Sequence, residues 1–230
     1  MNQKLKVYTM NTTIILILVF VCISLYLIVQ YKSNFEKRLT YHTPRLLTPE
    51  RREYISGAER YIKKVSIVIG LFAGFPLMIM CAFLLPEAGA SVIFLIIVIF
   101  IAINFLGIYL LYRFFKRNIK NQQALLEQMS DSDFQLLLRV NKEIYLFKYF
   151  PPFVLCKDKL YLFTSFTVRE IDPTSIKEIS FTYVKGGNMV VRINLGERTS
   201  ITIYRNLYSI LEEIIKRYNP NVLIQSLNGL

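Results

Sequence analysis

The sequence predicts an α+β membrane protein, in which three transmembrane α-helices precede a C-terminal antiparallel β-sheet or barrel domain closed by one C-terminal helix. Three observations favour this class. First, 53% of the 230 residues are hydrophobic, which is more than one soluble domain of this size normally needs. Second, three long runs lack Lys, Arg, Asp and Glu. Third, short strand-like segments replace helical spacing after Glu143.

The three apolar runs are Thr12–Val29, Val65–Leu85 and Ala88–Leu111. Each is close to the roughly 20 residues with which an α-helix crosses the hydrocarbon core. Buried helices of a soluble bundle are the alternative, but they would carry a polar stripe, which "SVIFLIIVIFIAINFLGIYLL" lacks. No small-residue cleavage site follows the first run, so a retained helix is favoured over a signal peptide. We therefore predict a transmembrane region that covers 1–117. Its helices are expected at 12–31, 65–85 and 88–115.

Basic residues concentrate on one side of these predicted helices. The loop Lys32–Lys64 and the stretch "LYRFFKRNIK" at Leu111–Lys120 are rich in Lys and Arg, and positively charged flanks stay in the cytoplasm. The protein is therefore predicted to lie in a bacterial inner membrane as a multi-pass protein, with its N-terminus outside and its C-terminal domain in the cytoplasm. Basic side chains beside the helices are expected to contact anionic lipid headgroups, with a plain stop-transfer anchor as the alternative. These side chains are Arg51, Arg52, Lys63, Lys64, Arg113, Lys116, Arg117 and Lys120.

Four residues of the predicted membrane helices are candidates for helix packing. Gly70 and Gly74 lie four residues apart on one helix face, which lets a neighbouring backbone approach closely. Pro76 should kink the same helix. Asn104 lies deep in the third predicted helix, where its side chain should seek a hydrogen-bonding partner. Packing inside the bundle is favoured over dimerisation, and a homo-oligomer is the alternative.

Two further helices are predicted beside the membrane. Thr48 is a good N-cap, and Pro49 a good first residue, for an amphipathic helix at 49–64. Gly57 in its interior should weaken that helix. A helical stalk is predicted at 118–142, with a break at Ser130, where "SDSD" resembles a capping box.

The C-terminal domain is predicted at 143–230 from short runs rich in β-branched and aromatic residues. Turn signals separate the runs, for example Lys157-Asp158, Asp172-Pro173 and Gly186-Gly187-Asn188. Connections this short exclude crossover helices and imply an antiparallel sheet. The predicted strand segments are "IYLFK", "FVLC", "LYLF", "TVREI", "IKEISFTYV", "MVVRINL" and "SITIY".

An amphipathic helix, "LYSILEEIIKRY", follows the last predicted strand. Asn206 is expected to cap it, and Asn219-Pro220 should end it. Its apolar residues share one face and should close the sheet. They are Leu207, Ile210, Leu211, Ile214 and Ile215.

The order of these elements resembles the pleckstrin-homology (PH) superfold, including bacterial PH-like domains that are often fused to transmembrane helices. The resemblance rests on "CKDKLYLFTSFTVREIDPTSIKEISFTYV" and "VVRINLGERTSITIYRNLYSILEEIIKRYNP". It implies a binding module, because this fold hosts many binding roles. The dense basic signature of phosphoinositide readers is missing, so Lys157, Lys159 and Lys185 are interpreted as solvated turn residues.

The sequence offers no constellation for catalysis or for a metal. His42 is the only histidine, and the cysteines Cys22, Cys81 and Cys156 have no zinc or disulfide spacing. No phosphate-binding loop or nucleophile elbow is present. We therefore expect a protein that is not an enzyme and has no cofactor. The net charge of +12 follows the predicted membrane flanks, so nucleic acid is not expected as a partner.

The predicted function is an integral membrane protein that presents a cytoplasmic PH-like module to a protein partner or to the membrane surface, in a scaffold, accessory or immunity-type role. The alternative is a subunit of a transporter or channel whose PH-like domain is regulatory. A third hypothesis, an enzyme acting on lipid headgroups, would require Glu53, Glu59 and His42 to converge.

Overall fold

The computed structural model describes the chain at positions 23, 32, 34–39, 45–84, 90–145, 147–164, 167–184, 186–196 and 198–226. At 73–84, 90–97, 99, 100, 103 and 198 the description covers the backbone only. In chain order the helices are α1 (Asn34–Leu39), α2 (Pro49–Leu84), α3 (Ala90–Leu126), α4 (Asp131–Lys142) and α5 (Arg205–Tyr218). The strands are β1 (Phe153–Cys156), β2 (Lys159–Phe163), β3 (Val168–Ile171), β4 (Glu178–Val184), β5 (Asn188–Asn194), β6 (Arg198–Tyr204) and β7 (Leu223–Ser226).

The chain divides into two compact units. The helical unit comprises Met1–Tyr31 and Glu59–Arg117, and the sheet unit comprises Lys32–Ala58 and Asn118–Leu230. In the helical unit, α2 and α3 approach closely at Gly70, where an added Cβ would lie 2.1 Å from Cγ1 of Ile108. A side chain at this position would therefore require the Ile108 side chain to shift.

The α+β class agrees with the prediction, but the structure contradicts the predicted membrane architecture. Among the described residues, no helix has an apolar stretch of the length that a membrane crossing requires.

The predicted transmembrane helices at 65–85 and 88–115 are therefore wrong. The predicted multi-pass localisation in an inner membrane, with an outside N-terminus and a cytoplasmic C-terminal domain, is overturned with them. Apart from Ile23, the predicted helix at 12–31 lies outside the described residues.

Two sheets form the body of the sheet unit. The first is an antiparallel meander in the order β1-β2-β3. Its first turn places Lys157 and Asp158 at φ 50° and 60°, the left-handed pair that a tight hairpin requires. The second sheet has the order β6-β5-β4-β7. Its strands β4, β5 and β6 are antiparallel neighbours, whereas β7 pairs parallel to β4.

The strand prediction fails at both ends of the domain. The segment "IYLFK" at Ile144–Lys148 contains no strand among its described residues, and Phe147 has φ 58°. The strand β7 was not predicted, because it follows α5 and pairs with a strand distant in sequence. The other six predicted segments overlap β1 to β6.

The main core lies between the two sheets and α5. As their spacing predicts, Leu207, Ile210, Leu211, Ile214 and Ile215 form the buried face of α5. The predicted cap differs, because Tyr204 holds the N-cap position without a side-chain hydrogen bond. The largest fully buried residues of the core are Phe153, Leu160, Leu162, Ile176, Ile179, Met189, Ile193, Leu207 and Leu211.

The outer face of the first sheet is covered as well. All four residues of β1 are buried, and the Cys156 thiol donates a hydrogen bond of 3.5 Å to the carbonyl of Leu125 at the end of α3. Burial and the charge of Asp133 raise the pKa of this thiol to about 11. Ser130 caps α4 as predicted, since its side chain accepts a hydrogen bond from the Asp133 N–H.

Helix α1 packs on the same outer face. The ring of Phe35 lies 5.2 Å from that of Tyr161 on β2. Arg38 forms an ion pair with Glu170 on β3, and Lys159 approaches the other carboxylate oxygen at 2.6 Å. Burial on its own would raise the pKa of Glu170, but hydrogen bonds from Lys159 and Arg38 outweigh it and lower the pKa below 4.5.

Replacing Leu211 by Ala should lower the free energy of unfolding by about 2–5 kcal/mol, because it removes a fully buried side chain and leaves a cavity. Urea unfolding measures this change. The exposed Ser209 on the same helix is the control, and Ser209→Ala should change the value by no more than about 0.5 kcal/mol. Equal effects at both positions would contradict the packing of α5.

Glu170 should make the stability depend on pH in the acid range. Its pKa is lowered in the folded state, so its stabilisation is present above the unfolded pKa and is lost as the pH falls through the folded pKa. The difference in unfolding free energy between the wild type and Glu170→Gln should be constant near neutrality and shrink below about pH 4.5. A difference that stays constant through that range would contradict the ion pairs.

Candidate interaction site

The loop between α4 and β1 exposes two aromatic side chains. We name its described residues, Ile144, Tyr145 and Phe147–Phe150, the aromatic loop. Tyr145 is 82% exposed and Phe147 46% exposed. Single exposed apolar residues are ordinary on protein surfaces, so the significance of this pair depends on how the backbone beneath it is held.

The backbone of the aromatic loop adopts left-handed conformations at bulky residues. Phe147 has φ 58° and Tyr149 has φ 71°. For residues other than glycine this region costs about 1–2 kcal/mol per residue. Such strain persists only where the surroundings fix the conformation, and it clusters at functional sites.

Buried side chains fix this conformation through the backbone of Tyr149. Its N–H donates to Oδ1 of Asn141 at 2.8 Å, and its carbonyl accepts from Nε2 of Gln122 at 2.9 Å. The Tyr54 hydroxyl in turn donates to Oε1 of Gln122 at 3.4 Å. Asn141 is only 7% exposed and Gln122 1% exposed. We name Tyr54, Gln122 and Asn141 the polar clamp.

Tyr54 keeps the clamp in one hydrogen-bonding state. Burial, together with the neighbouring Tyr149 phenol, raises the pKa of Tyr54 well above its ordinary value of 10. Its hydroxyl therefore remains a donor at every physiological pH. A buried polar group that lacked its partner would cost about 1–3 kcal/mol, so the members of the clamp favour one loop conformation together.

The ring of Tyr149 lies against α2 at Gly57, a glycine in the interior of that helix. A Cβ on Gly57 would lie 2.8 Å from the Tyr149 hydroxyl oxygen and 3.2 Å from Cζ. On the same side, the rings of Tyr54 and Tyr149 meet edge to face at 5.2 Å. Glycine inside a helix is unfavourable by about 0.5–1 kcal/mol relative to alanine. The close approach of Tyr149 explains why this position has no side chain.

Arg51 holds the start of α2 to the polar end of α3 and to α4. Its guanidinium donates to the carbonyl of Leu126 at 2.8 Å and to Asp131 at 2.7 Å. It also lies over the ring of Phe134, 5.4 Å from the centroid. Arg51 was predicted to contact lipid, but its side chain is buried and its donors are used within the fold.

A further exposed aromatic residue, Tyr183, lies near the start of α5. The guanidinium of Arg205 lies 5.0 Å from the Tyr183 ring centroid. The next residue, Asn206, was predicted as a helix cap. Instead its amide donates to the carbonyl of Glu143 at 2.9 Å and to the carboxylate of Glu143 at 2.8 Å. The start of α5 is thereby fixed beside the residue that precedes the aromatic loop.

The remaining predicted site residues lie as follows. Gly70 is buried against Ile108, and Asn104 is partly buried. The side-chain surroundings of Gly74 and Pro76 lie outside the described residues. Their roles in helix packing stay predictions. The basic residues Arg52, Lys63, Lys64, Arg113, Lys116 and Lys120 are exposed, and Arg117 is partly buried. Their contact with lipid headgroups also stays a prediction.

The described residues contain no group of three or more His, Cys, Asp or Glu that could hold a metal ion. His42 lies outside the described residues, so the predicted alternative of a headgroup enzyme has no described geometry for its histidine. Cys156 is buried with a raised pKa, which makes it a poor nucleophile at neutral pH.

Comparison of the chain with protein-family models, curated proteins and solved structures found no match in any of the three. The resemblance to bacterial PH-like domains therefore rests on the sequence pattern alone.

Replacing Gly57 by Ala should fail to give the usual helix stabilisation of about 0.5–1 kcal/mol, because the new Cβ would displace the Tyr149 phenol. In a Tyr149→Ala background the obstruction is gone, and the stabilisation should return. Urea unfolding of each protein in this double-mutant cycle measures the coupling. The same gain in both backgrounds would show that Tyr149 does not pack against α2.

Proposed function

We propose that the protein is a non-catalytic binding module, with a scaffold or accessory role, that holds a segment of a partner protein against the aromatic loop. The observation that carries the proposal is the exposure of Tyr145 and Phe147 on a backbone that is strained and yet fixed by buried hydrogen bonds. A loop with only a connecting role would not require bulky residues in the left-handed region.

Fixing the loop before binding favours affinity. Ordering a flexible side chain at an interface costs about 0.5–1.5 kcal/mol. Ordering a loop backbone on binding adds a further cost. The polar clamp already fixes the backbone of the aromatic loop when the protein folds, so binding does not incur that cost. Tyr and other aromatic residues dominate the binding energy of many interfaces, because they bury a large area with few rotatable bonds.

The alternative of a transporter or channel subunit is not carried forward, because it depended on the membrane helices that the structure contradicts. The exposed Tyr145 and Phe147 favour contact with a partner at the protein surface.

The proposal is tested by selecting peptides from a random display library on the full-length protein and measuring their affinity for variants. Tyr145→Ser and Phe147→Ser should each weaken the selected peptides by at least about tenfold. Both variants should keep the unfolding free energy within about 0.5 kcal/mol, since the side chains are exposed.

Leu223→Ser on β7 is the matched control, because Leu223 is an exposed apolar residue outside the aromatic loop. It should leave the affinity unchanged. If the selected peptides bind the Tyr145→Ser and Phe147→Ser variants as tightly as the wild type, the aromatic loop is not the binding surface and the proposal fails.

A further inference from the structure

We infer that the segment recognised by the aromatic loop is acidic, with Asp or Glu beside the apolar side chains that meet Tyr145 and Phe147. This inference rests on the proposed function and names the chemistry of the partner. It is carried by two lysines that flank the exposed aromatic residues.

Lys142 and Lys148 place positive charge on both sides of the aromatic pair. Lys142 is the last residue of α4, and Lys148 directly follows Phe147. Both are exposed, and neither forms an ion pair with a carboxylate of the described residues. The ammonium of Lys148 lies 5.8 Å from the centroid of the Tyr149 ring, which keeps it near the loop.

Two carboxylates of this part of the sheet unit have other partners. Glu143 accepts a hydrogen bond from Asn206 at 2.8 Å. Glu213 faces Arg139 at 3.1 Å and Arg217 at 3.3 Å. Neither carboxylate forms an ion pair with Lys142 or Lys148.

The helix dipole accounts for only one of the two lysines. Lys142 lies in the last turn of α4, where a cation interacts favourably with the helix dipole. Lys148 lies in the loop, outside any helix, where no such role exists. A carboxylate on a bound partner would offset both charges.

Arg205 places a further positive charge beside an aromatic ring at the start of α5. It is exposed, it lies over Tyr183, and its neighbour Asn206 bonds to Glu143 directly before the aromatic loop. A cation beside an aromatic ring therefore occurs both in the aromatic loop and at the start of α5. The chain as a whole has a net charge of +12, so the wider field also attracts an acidic segment.

The test uses synthetic peptides that share the same Leu and Phe positions and carry either Glu, Gln or Lys at the remaining positions. The Glu peptide should bind the full-length protein at least about fivefold more tightly than the Gln peptide at low ionic strength, and salt should reduce the difference. The Lys peptide should bind most weakly. Phe147→Ser should weaken every peptide that binds.

Charge reversal supplies the matched comparison. Lys148→Glu should weaken the Glu peptide about fivefold, whereas Lys177→Glu should not. Lys177 is also an exposed lysine, but it adjoins the opposite end of α5, where Asn219 bonds to Ile176. The double variant Lys142→Glu/Lys148→Glu should prefer the Lys peptide over the Glu peptide.

Three results would overturn the inference in distinguishable ways. Equal binding of the Glu and Gln peptides, with both lost in Phe147→Ser, would remove the acidic preference and leave the proposed function intact. Equal weakening by Lys148→Glu and Lys177→Glu would show a general charge effect. Phosphatidylglycerol vesicles that bind through the same lysines and displace the Glu peptide would replace the protein partner by a lipid surface.

Discussion

The first sheet has apolar residues on both faces, and the sheet unit is organised around the need to cover them. Every residue of β1 is buried, although β1 is an edge strand of the sheet. One face meets the second sheet and α5 in the main core. The other face is covered by α1 and by the polar end of α3, which contribute Phe35 and Leu125. Burial on both faces removes far more apolar area from water than a sheet solvated on one side could.

This covering layer creates the candidate site. The polar end of α3 belongs to this layer, and the start of α2 packs on it and on α4 through Arg51 and Tyr54. Gln122 on α3 and Asn141 on α4 bond to the backbone of Tyr149, and Tyr54 on α2 bonds to Gln122. A buried amide is stable only when its hydrogen bonds are made. The helix end that covers the first sheet therefore also supplies Gln122, one of the two side chains that fix the aromatic loop.

Local patterns predicted those parts of the sheet unit that depend on neighbours in sequence. Alternation and turn residues indicated β1 to β6, helical spacing indicated the buried face of α5, and Ser130 was recognised as a cap. The aromatic loop was mistaken for a strand because "IYLFK" has the composition of one. Its conformation depends on Gln122, which is 27 positions from Tyr149, and a local pattern carries no such information. Gly57 was the one visible signal, since a glycine inside a helix pattern can mark a close approach.

The membrane prediction relied on long uncharged runs, but among the described residues no helix has an apolar stretch of the length that a membrane crossing requires. The central claim of the account is that buried side chains hold the aromatic loop in one conformation. Hydrogen exchange at the Tyr149 amide, followed by NMR, tests it most directly, because this N–H donates to Asn141 at 2.8 Å. The Tyr149 amide should exchange slowly, at a rate comparable to that of the core strand amide of Leu160, and it should exchange fast after Asn141→Ala. Fast exchange at Tyr149 in the wild-type protein would contradict it.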